Sequence, residues 1–349
     1  MNRIKMLEKL ISFNTINDQD NLLIMDFVGI YLKELGFKIK YIFNSNKTKK
    51  CLIANLGKPI ITFIGHTDTV GCSNWEYDPF KLTINDNKLY GLGTCDMKGG
   101  ISAFLCAVDE LINEIEGIQI VLTYDEETSF EGINLINKDE LSNNIIIGEP
   151  TCIVPITNTK GCIEYKVSFK GISAHSSEPN KGDNAIIKCL SFIDDLTIFY
   201  NELQREENKI FEIPYVTMNI AKIKGGDSIN IIPDNCEVSF DFRTINKKEN
   251  LIIIDTVSKL ANKYKAEISL LNNIFPLENN NDISYIESIT CKKSGINYVT
   301  EASFIENKNI IILGPGPANA HKKDEYIDIE SYEKIIDVYK KIIKYYLKK

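Results

Sequence analysis

Four short segments of the chain are predominantly apolar without a regular alternation, and they predict buried β-strands. They are residues 60–64, 118–124, 145–147 and 310–313. Because apolar side chains point to both faces of each segment, both faces of the sheet must be covered, which is typical of parallel strands flanked by helices. A helical pattern over residues 22–35 supplies one such cover. We therefore expect an α/β domain with a mostly parallel sheet.

The middle of the chain has a different pattern, in which apolar and polar residues alternate. From Ile163 to Phe169 the odd positions are apolar and the even positions are polar, and residues 236–242 repeat the alternation. This period of two indicates a sheet with one solvent-exposed face. Further helices are predicted at 184–204 and 251–263, and further strands at 216–220 and 268–270.

The predicted order of these central elements is βαββαβ, which is the ferredoxin-like arrangement. An antiparallel unit that interrupts a parallel sheet is expected to be an inserted α+β domain. The sequence therefore predicts one domain from residues 1–161 and 273–349 and a second from residues 162–272.

Composition and charge narrow the classes of ligand. The chain has 349 residues, of which 44% are hydrophobic and 25% are charged, the usual mixture for a globular protein of two domains. A formal net charge of -8 and the lack of a basic stripe disfavour nucleic acid as a partner. Lys47, Lys49 and Lys50 form a short basic run, which is typical of a solvated face. The expected ligand is a small molecule.

The sequence predicts a cytoplasmic protein without a membrane segment. No apolar run approaches the roughly 20 residues that span a bilayer. The N-terminus has Ile4, Leu7 and Ile11 at helical spacing, which does not resemble a signal peptide. The nine cysteines include no Cys-x-x-Cys pair, so we expect reduced thiols rather than disulfides or a zinc ribbon.

Histidines and acids follow the predicted strands of the parallel sheet. His66 and Asp68 follow the first strand, the Glu126-Glu127 pair follows the second, and Glu149 follows the third. The last strand leads to His321, and Asp96 stands just before an apolar helix that begins near residue 101. Ligands of open α/β sheets bind at the carboxyl ends of the strands. We therefore expect these side chains to converge on one crevice.

Two histidines with several carboxylates suit Zn²⁺ or a similar divalent ion, and a shareable aspartate favours two ions. A pair of ions ~3.5–4 Å apart polarises an amide carbonyl and acidifies a bridging water. Of the adjacent Glu126 and Glu127, one would then bind metal and the other would act as general base. Asp68 is expected on the same side of the extended chain as His66, where it could orient the imidazole.

Each of these signals is weak when taken alone. A single histidine at a strand end is more often a structural hydrogen-bonding group, and a Glu-Glu pair is usually a solvated turn. The chain has only three histidines, however, and two of them follow predicted strands where acids cluster. Gly91 and Gly93 resemble part of a dinucleotide loop, but the third glycine of that fingerprint is absent. The metal site is therefore the favoured interpretation.

Together these segments resemble the family of co-catalytic zinc aminoacylases, which contains acetylornithine deacetylases and succinyl-diaminopimelate desuccinylases. The resemblance covers essentially the whole chain. Its motifs are GHTDTV at 65–70, GLGTCDMKG at 91–99, DEE at 125–127 and GEP at 148–150. The family order and spacing of the four motifs are highly specific when they occur together. The resemblance implies a zinc aminopeptidase-like catalytic domain with an inserted lid or dimerisation domain.

The resemblance also implies a role for each residue of the metal site. His66, Asp96 and Glu149 would bind one divalent ion, and Asp96, Glu127 and His321 would bind the other. The ions would be Zn²⁺, with Co²⁺ as an alternative. Glu126 would be the general base, and Asp68 would orient His66.

Three further residues match substrate-contacting positions of the family, and two of them also have an ordinary explanation. His175 could be a loop or capping residue, but the resemblance implies that it stabilises the oxyanion from the partner subunit of a homodimer. Arg243 could merely add solubility, but it matches a ligand of the substrate carboxylate. Asn230 matches a substrate-contacting asparagine.

The segment at 297–304 favours one branch of the family. It resembles the acetylornithine deacetylase stretch, and its Glu301 would place an anion near the ammonium of ornithine, although a solvated loop acid is the simpler explanation. The expected reaction is hydrolysis of N2-acetyl-L-ornithine to L-ornithine and acetate, a step of arginine biosynthesis. The alternatives are a succinyl-diaminopimelate desuccinylase, another N-acyl-amino-acid deacylase, or a dipeptidase.

Overall fold

The computed structural model describes residues 2–317 and 319–348, which divide into two compact units. The first unit runs from the N-terminus to Thr157 and includes Asn279–Ser294 and the chain from Phe304 onward. The second unit comprises Asn158–Glu278 and Gly295–Ser303. Among the described residues, no helix has the length and apolar character needed to cross a membrane.

The helices vary from one short turn to five turns. In chain order they are α1 Arg3–Ile11, α2 Leu22–Glu34, α3 Lys98–Leu111, α4 Glu131–Leu135, α5 Ala185–Leu203, α6 Lys247–Lys263, α7 Ser284–Ile289 and α8 Ile329–Leu347. Short 3₁₀ helices cover Lys138–Glu140, Pro179–Lys181 and Glu301–Phe304.

The strands form three sheets in the part of the chain that the structure describes. In chain order they are β1 Lys38–Phe43, β2 Lys50–Leu56, β3 Ile61–His66, β4 Thr83–Asn85, β5 Lys88–Tyr90, β6 Ile118–Thr123, β7 Asn144–Ile147, β8 Ile156–Thr159, β9 Cys162–Lys170, β10 Thr217–Gly225, β11 Asn235–Arg243, β12 Glu267–Ile274, β13 Ser294–Ile296, β14 Asn309–Ile312 and β15 Tyr326–Asp328.

The large sheet is mixed, with the order β1-β2-β6-β3-β7-β14-β8-β13. Its four central strands are parallel, because β3 pairs in parallel with β6 and β7, and β7 pairs in parallel with β14. Strands β1 and β2 form an antiparallel hairpin at one side of the sheet, and β2 also pairs antiparallel with β6. The expected α/β class is confirmed. The hairpin was not predicted, because Lys38 and Lys40 are exposed and interrupt the apolar pattern of β1.

Helices cover the sheet of the first unit as the continuous hydrophobicity of its strands requires. Helix α3 packs against α1, α8 and β3, and α2 packs against β1 and β2. Phe63 of β3 stacks on Phe104 of α3, with ring centroids 4.3 Å apart. Such a stacked pair contributes roughly 0.5–1.5 kcal/mol beyond the burial of its surface. The core therefore fixes α3 against the central strand that carries His66.

The second unit has an antiparallel sheet in the order β10-β11-β9-β12. Its elements occur along the chain as βαββαβ, as the alternating pattern predicts. One face of the sheet is buried under α5 and α6, where Phe192 and Val257 pack against the apolar side chains of β9 and β11. This face explains the period of two, since the intervening polar residues point away from the helices.

Candidate active site

The central parallel strands end at one edge of the large sheet, and their carboxyl ends carry acids and a histidine. His66 is the last residue of β3. Glu126 and Glu127 follow β6, and Glu149 follows β7. Because β6, β3 and β7 are neighbours in the sheet, the residues that follow them meet at the same edge.

One cluster of ligand groups contains His66, Asp96 and Glu149. Nε2 of His66 lies 3.1 Å from Oδ1 of Asp96 and 3.7 Å from Oε1 of Glu149. His66 is fully buried, and Glu149 is 3% exposed. His66 and Glu149 are therefore held at the end of the sheet strands and shielded from water.

A second cluster contains Asp96, Glu127 and His321. Nε2 of His321 lies 2.9 Å from Oε1 of Glu127 and 3.4 Å from Oδ2 of Asp96. The His321 side chain is 53% exposed, in contrast to the buried His66. Asp96 belongs to both clusters and turns a different carboxylate oxygen to each histidine, so it has the geometry of a bridging ligand.

Neighbouring groups shift the pKa values of His66, His321 and Asp96. Burial alone would lower the pKa of His66, but Asp68, Asp96 and Glu149 raise it well above its ordinary value. Asp96 and Glu127 raise the pKa of His321 to about 10. Burial opposes ionisation of Asp96, yet its hydrogen bonds with the two histidines hold its pKa below the ordinary value. The site therefore strongly favours positive charge at the histidine nitrogens.

The donor set fits two divalent metal ions. Each cluster offers one imidazole nitrogen and two carboxylate oxygens, and the three ligand atoms lie within 4.8 Å of one another. Imidazole and carboxylate are ligands for Zn²⁺ and related ions. The carboxylates around the two histidines attract positive charge, and a bound cation can supply it as well as protons on the imidazoles can. The two clusters would share Asp96 as a bridge.

The loop that presents Glu126 and Glu127 is fixed by a compact turn and an ion pair. The carbonyl of Asp125 accepts backbone hydrogen bonds from Ser129 at 3.1 Å and Phe130 at 2.7 Å. The carboxylate of Asp125 pairs with the ammonium of Lys49. The prediction that Lys49 lies on a solvated face is wrong, because its side chain is 13% exposed.

Residues 91–96, which we term the glycine loop, bring Asp96 to the edge of the sheet. Gly93 has a φ of 81°, a left-handed conformation that favours glycine. The loop leads directly into α3, which can pack closely on β3 because Gly65 has no side chain. A Cβ at Gly65 would lie 2.8 Å from side-chain atoms of Met97 and Ile101.

His175 and Asn230 are brought together in the second unit. The residue after His175 donates its backbone N–H to the carbonyl of Asn230 at 3.0 Å, and His175 forms a β-bridge with Ile231. The backbone N–H of Ser177 donates to Nδ1 of His175 at 3.2 Å. A backbone amide can only donate, so in the neutral imidazole the proton is on Nε2. His175 is exposed and can donate from that nitrogen.

Arg243 and Glu301 lie on other elements of the second unit. Arg243 ends β11 and donates from Nε to Asp241 at 3.0 Å, and its side chain is 36% exposed. Glu301 begins a 3₁₀ helix and is fully buried. The interpretation of Glu301 as a solvated loop acid is therefore wrong.

One residue with a clear place in the site was missed by sequence reasoning. Glu325 is buried, and its carboxylate accepts the backbone N–H groups of Gly93, Cys95 and Asp96. The only signal in the sequence was its position shortly after His321 in an otherwise charged segment. Backbone donors leave no pattern in a sequence, so this contact could not be inferred from residue types.

The chain is similar to proteins of known family and structure. The model for peptidase family M20/M25/M40 matches residues 62–345, a range that contains both ligand clusters. An acetylornithine deacetylase of Pectobacterium atrosepticum is 34% identical over 335 residues, covering 89% of this chain and 87% of that protein. One of Buchnera aphidicola is 36% identical over 371 residues, covering 98% and 97%. The expected similarity to acetylornithine deacetylases is thus confirmed.

Solved structures support the fold. A tripeptidase from Staphylococcus aureus superposes with a TM-score of 0.82 at 19% identity, covering 99% of this chain and 98% of that chain. An M20 family metallo-carboxypeptidase from Sulfolobus solfataricus superposes with a TM-score of 0.76 at 18% identity and covers 100% of both chains. With the ligand clusters and the relatives, these findings identify the chain as a metal-dependent hydrolase that belongs to peptidase family M20/M25/M40.

Proposed function

We propose that this hydrolase converts N2-acetyl-L-ornithine to L-ornithine and acetate, the deacetylation used in arginine biosynthesis. The observation that carries the reaction class is the pair of three-residue clusters joined by Asp96. The substrate is supported by identities of 34% and 36% to two acetylornithine deacetylases over most of the chain. The nine free cysteines suit work in the reducing cytoplasm.

Two divalent ions are proposed as cofactors, with Zn²⁺ preferred and Co²⁺ as an alternative. His66 and Glu149 would hold one ion and Glu127 and His321 the other, with Asp96 between them. When bound, such a pair of ions polarises the substrate carbonyl and lowers the pKa of the attacking water.

Glu126 is the proposed general base. Its neighbour Glu127 turns toward His321, whereas Glu126 belongs to neither ligand cluster among the described residues. A carboxylate beside the ligands but outside them can take the proton of the attacking water and pass it to the departing amine nitrogen. Asp68 would keep His66 in the orientation that directs Nε2 into the first cluster.

The second unit is proposed to recognise the substrate. Arg243 would bind the α-carboxylate through its guanidinium fork, and Asn230 would add a polar contact. Glu301 would attract the side-chain ammonium of ornithine. His175 would stabilise the oxyanion through Nε2–H, because Nδ1 is already engaged as an acceptor.

We further propose that the chain is a homodimer in which His175 acts on the site of the partner subunit. The support for a dimer comes from apolar side chains on the surface of the second unit. Ile187, Leu190 and Ile198 form an exposed stripe on α5, with exposures of 58%, 46% and 61%. The edge strand β12 adds Leu270 and Leu271. Such apolar surface is typical of protein interfaces.

The reaction is tested by comparing substrates under steady-state conditions with Zn²⁺ or Co²⁺ supplied. We expect kcat/KM for N2-acetyl-L-ornithine to exceed that for succinyl-diaminopimelate, N-acetylmethionine and unblocked dipeptides by at least about tenfold, on the order of 1.4 kcal/mol. Equal or faster turnover of succinyl-diaminopimelate would assign the chain to desuccinylation, and preference for dipeptides would assign it to peptide hydrolysis.

The proposed base is tested in the same assay with two neighbouring variants. Glu126→Ala should lower kcat by about 10²–10⁴-fold, the usual contribution of a general base, while metal content stays at the level of the unmodified chain. Glu127→Ala should lose both metal and activity. If the two variants behave in the opposite way, the roles of the adjacent glutamates are reversed.

A further inference from the structure

Glu325 is a buried carboxylate that no step of the proposed reaction uses. It is 2% exposed and stands immediately before β15. A charged group at such depth is costly unless hydrogen bonds replace its hydration. The chain supplies these hydrogen bonds from the glycine loop, which ends at Asp96.

Backbone N–H groups of the glycine loop donate hydrogen bonds to Glu325. Oε1 accepts the N–H groups of Cys95 at 2.6 Å and Asp96 at 2.9 Å, and Oε2 accepts that of Gly93 at 3.1 Å. The backbone carbonyl of Glu325 accepts a further hydrogen bond from the N–H of Gly91 at 3.1 Å. One residue therefore receives most of the donors of this loop, including the N–H of Asp96 itself.

Sheet pairing explains why these segments meet. β15 pairs with β5 so that Tyr326 lies opposite Tyr90. The glycine loop leaves β5 at the end where Glu325 enters β15. His321 precedes Glu325 in the same segment. Glu325 thus joins the segment that carries Asp96 to the segment that carries His321.

We infer that Glu325 is a positioning residue that holds the Asp96 carboxylate and the His321 segment where both can bind the second metal ion. The inference rests on the two-ion centre proposed above and does not depend on the substrate. The effect should be larger at the second cluster, because the sheet buries and holds His66, whereas the side chain of His321 is 53% exposed.

Glu325→Gln is the sharpest variant because it keeps the size of the side chain. If the amide oxygen takes the place of Oε1, it can still accept from Cys95 and Asp96. The amide nitrogen then faces the N–H of Gly93, so one hydrogen bond is replaced by two opposed donors. Glu325→Ala removes all three hydrogen bonds and should have the larger effect.

Glu249→Gln is a matched control from the second unit. Glu249 is 1% exposed, and its Oε2 accepts the backbone N–H of Ile245 at 2.7 Å. Burial raises the pKa of both Glu249 and Glu325 to about 7. The two variants therefore remove similar buried carboxylates, but only Glu325 contacts the glycine loop.

The measurement is a titration of metal-free full-length protein with Co²⁺, followed by absorption and by calorimetry. We expect the unmodified chain and Glu249→Gln to bind two ions alike. In Glu325→Gln the first ion should bind with little change, and the second should bind about 10–100-fold more weakly, the usual effect of removing support behind a metal ligand. Raising the Co²⁺ concentration should then restore part of the lost kcat, with KM for substrate almost unchanged.

Two results would overturn the inference: binding of both ions to Glu325→Gln as in the unmodified chain, or equal weakening in Glu249→Gln. If the unmodified chain binds only one ion, the two-ion centre fails, while the same comparison for that ion still decides the role of Glu325. If the Glu325 variants do not fold, hydrogen exchange of the unmodified protein decides. The amides of Cys95 and Asp96 should be protected in the metal-free protein, and rapid exchange there would also contradict the inference.

Discussion

The carboxylate of Asp68 accepts a hydrogen bond from the backbone N–H of Glu127, with 3.2 Å between Oδ2 and the nitrogen. Nδ1 of His66 lies 3.1 Å from the backbone carbonyl of Asp68 and 3.5 Å from its other carboxylate oxygen. Asp68 therefore contacts one ligand of each cluster, although His66 and Glu127 follow different strands. Its place makes it a link between the clusters as well as an orienting group for the imidazole.

Replacing Asp68 by Ala should lower metal affinity or kcat by about 10–100-fold, because the backbone N–H of Glu127 loses its acceptor and His66 loses the carboxylate beside Nδ1. Asp68→Asn should have a smaller effect, since its amide oxygen can still accept from Glu127. Asp18→Ala, which removes an exposed acid of the same unit, serves as the control in steady-state kinetics and metal analysis. Full activity of Asp68→Ala would show that the Asp68 side chain has no role in metal binding or turnover.

Removal of metal should abolish turnover. Dialysis against a chelator is expected to leave less than about 1% of the activity, and Zn²⁺ or Co²⁺ should restore it, because the imidazole and carboxylate groups bind these ions. The restored protein should also unfold at a higher temperature, since a ligand at 100 times its Kd stabilises the folded state by about 2.7 kcal/mol. Activity that survives verified metal removal would contradict the mechanism.

Action of His175 across a subunit boundary predicts that two inactive variants rescue each other. His175→Ala and Glu126→Ala subunits should be mixed under conditions that exchange subunits. A hybrid dimer then has one site with both lesions and one with neither, so an equal mixture should recover about a quarter of the activity if exchange is random and sites act independently. Recovery should be absent when either variant is incubated alone.

Failure of the mixture to recover, despite subunit exchange shown by mass-labelled protein, would place His175 in its own subunit's site or make it dispensable. A chain that remains monomeric at assay concentrations would contradict the dimer proposal directly.

Glu301→Gln should narrow the preference for acetylornithine over N-acetylmethionine by about tenfold, because a neutral amide attracts the ornithine ammonium less than a carboxylate does. Glu306→Gln is the control, since Glu306 is an exposed acid of the following loop. The comparison of kcat/KM ratios should accompany a thermal unfolding curve, because Glu301 is buried. An unchanged ratio in folded Glu301→Gln would exclude a role in substrate choice.

The stability of the second unit should depend on pH through Glu249. Burial raises the pKa of this carboxyl from 4.5 to about 7, with a contribution from Glu206 that Lys160 partly offsets. Between these two values the folded state holds a proton that the unfolded state has lost, so the free energy of unfolding falls as pH rises and then levels above about 7.

Glu249→Gln removes this titration, because glutamine resembles the protonated acid. Its free energy of unfolding relative to the unmodified chain should therefore increase from pH 5 to pH 8 by on the order of 2 kcal/mol. Thermal or urea unfolding of both metal-free proteins across this pH range measures the difference. A difference that stays constant with pH would show that Glu249 does not titrate in this way.

Much of the fold could be predicted from the sequence because burial on one or two faces leaves a periodic signal. Continuous apolar runs indicated the four central strands of the large sheet, and alternation indicated β9 and β11. The hairpin β1–β2 escaped because exposed lysines of β1 break the apolar pattern. Local patterns therefore indicated which segments are helices and which are strands. Parallel pairing was inferred only for strands whose two faces are both apolar.

The sequence by itself determined which residues follow the predicted strands, because the apolar runs mark the strands. The residue types of His66, Asp96 and Glu149 identify them as candidate metal ligands. Only the tertiary structure decided that Asp96 turns one oxygen to each histidine, and that Lys49 and Glu325 hold the loops of the site. These contacts join residues far apart in the chain, and several use backbone N–H groups that every residue type shares. A pattern of side chains cannot encode such partners, so they follow only from the pairing of strands and the packing that brings the loops together.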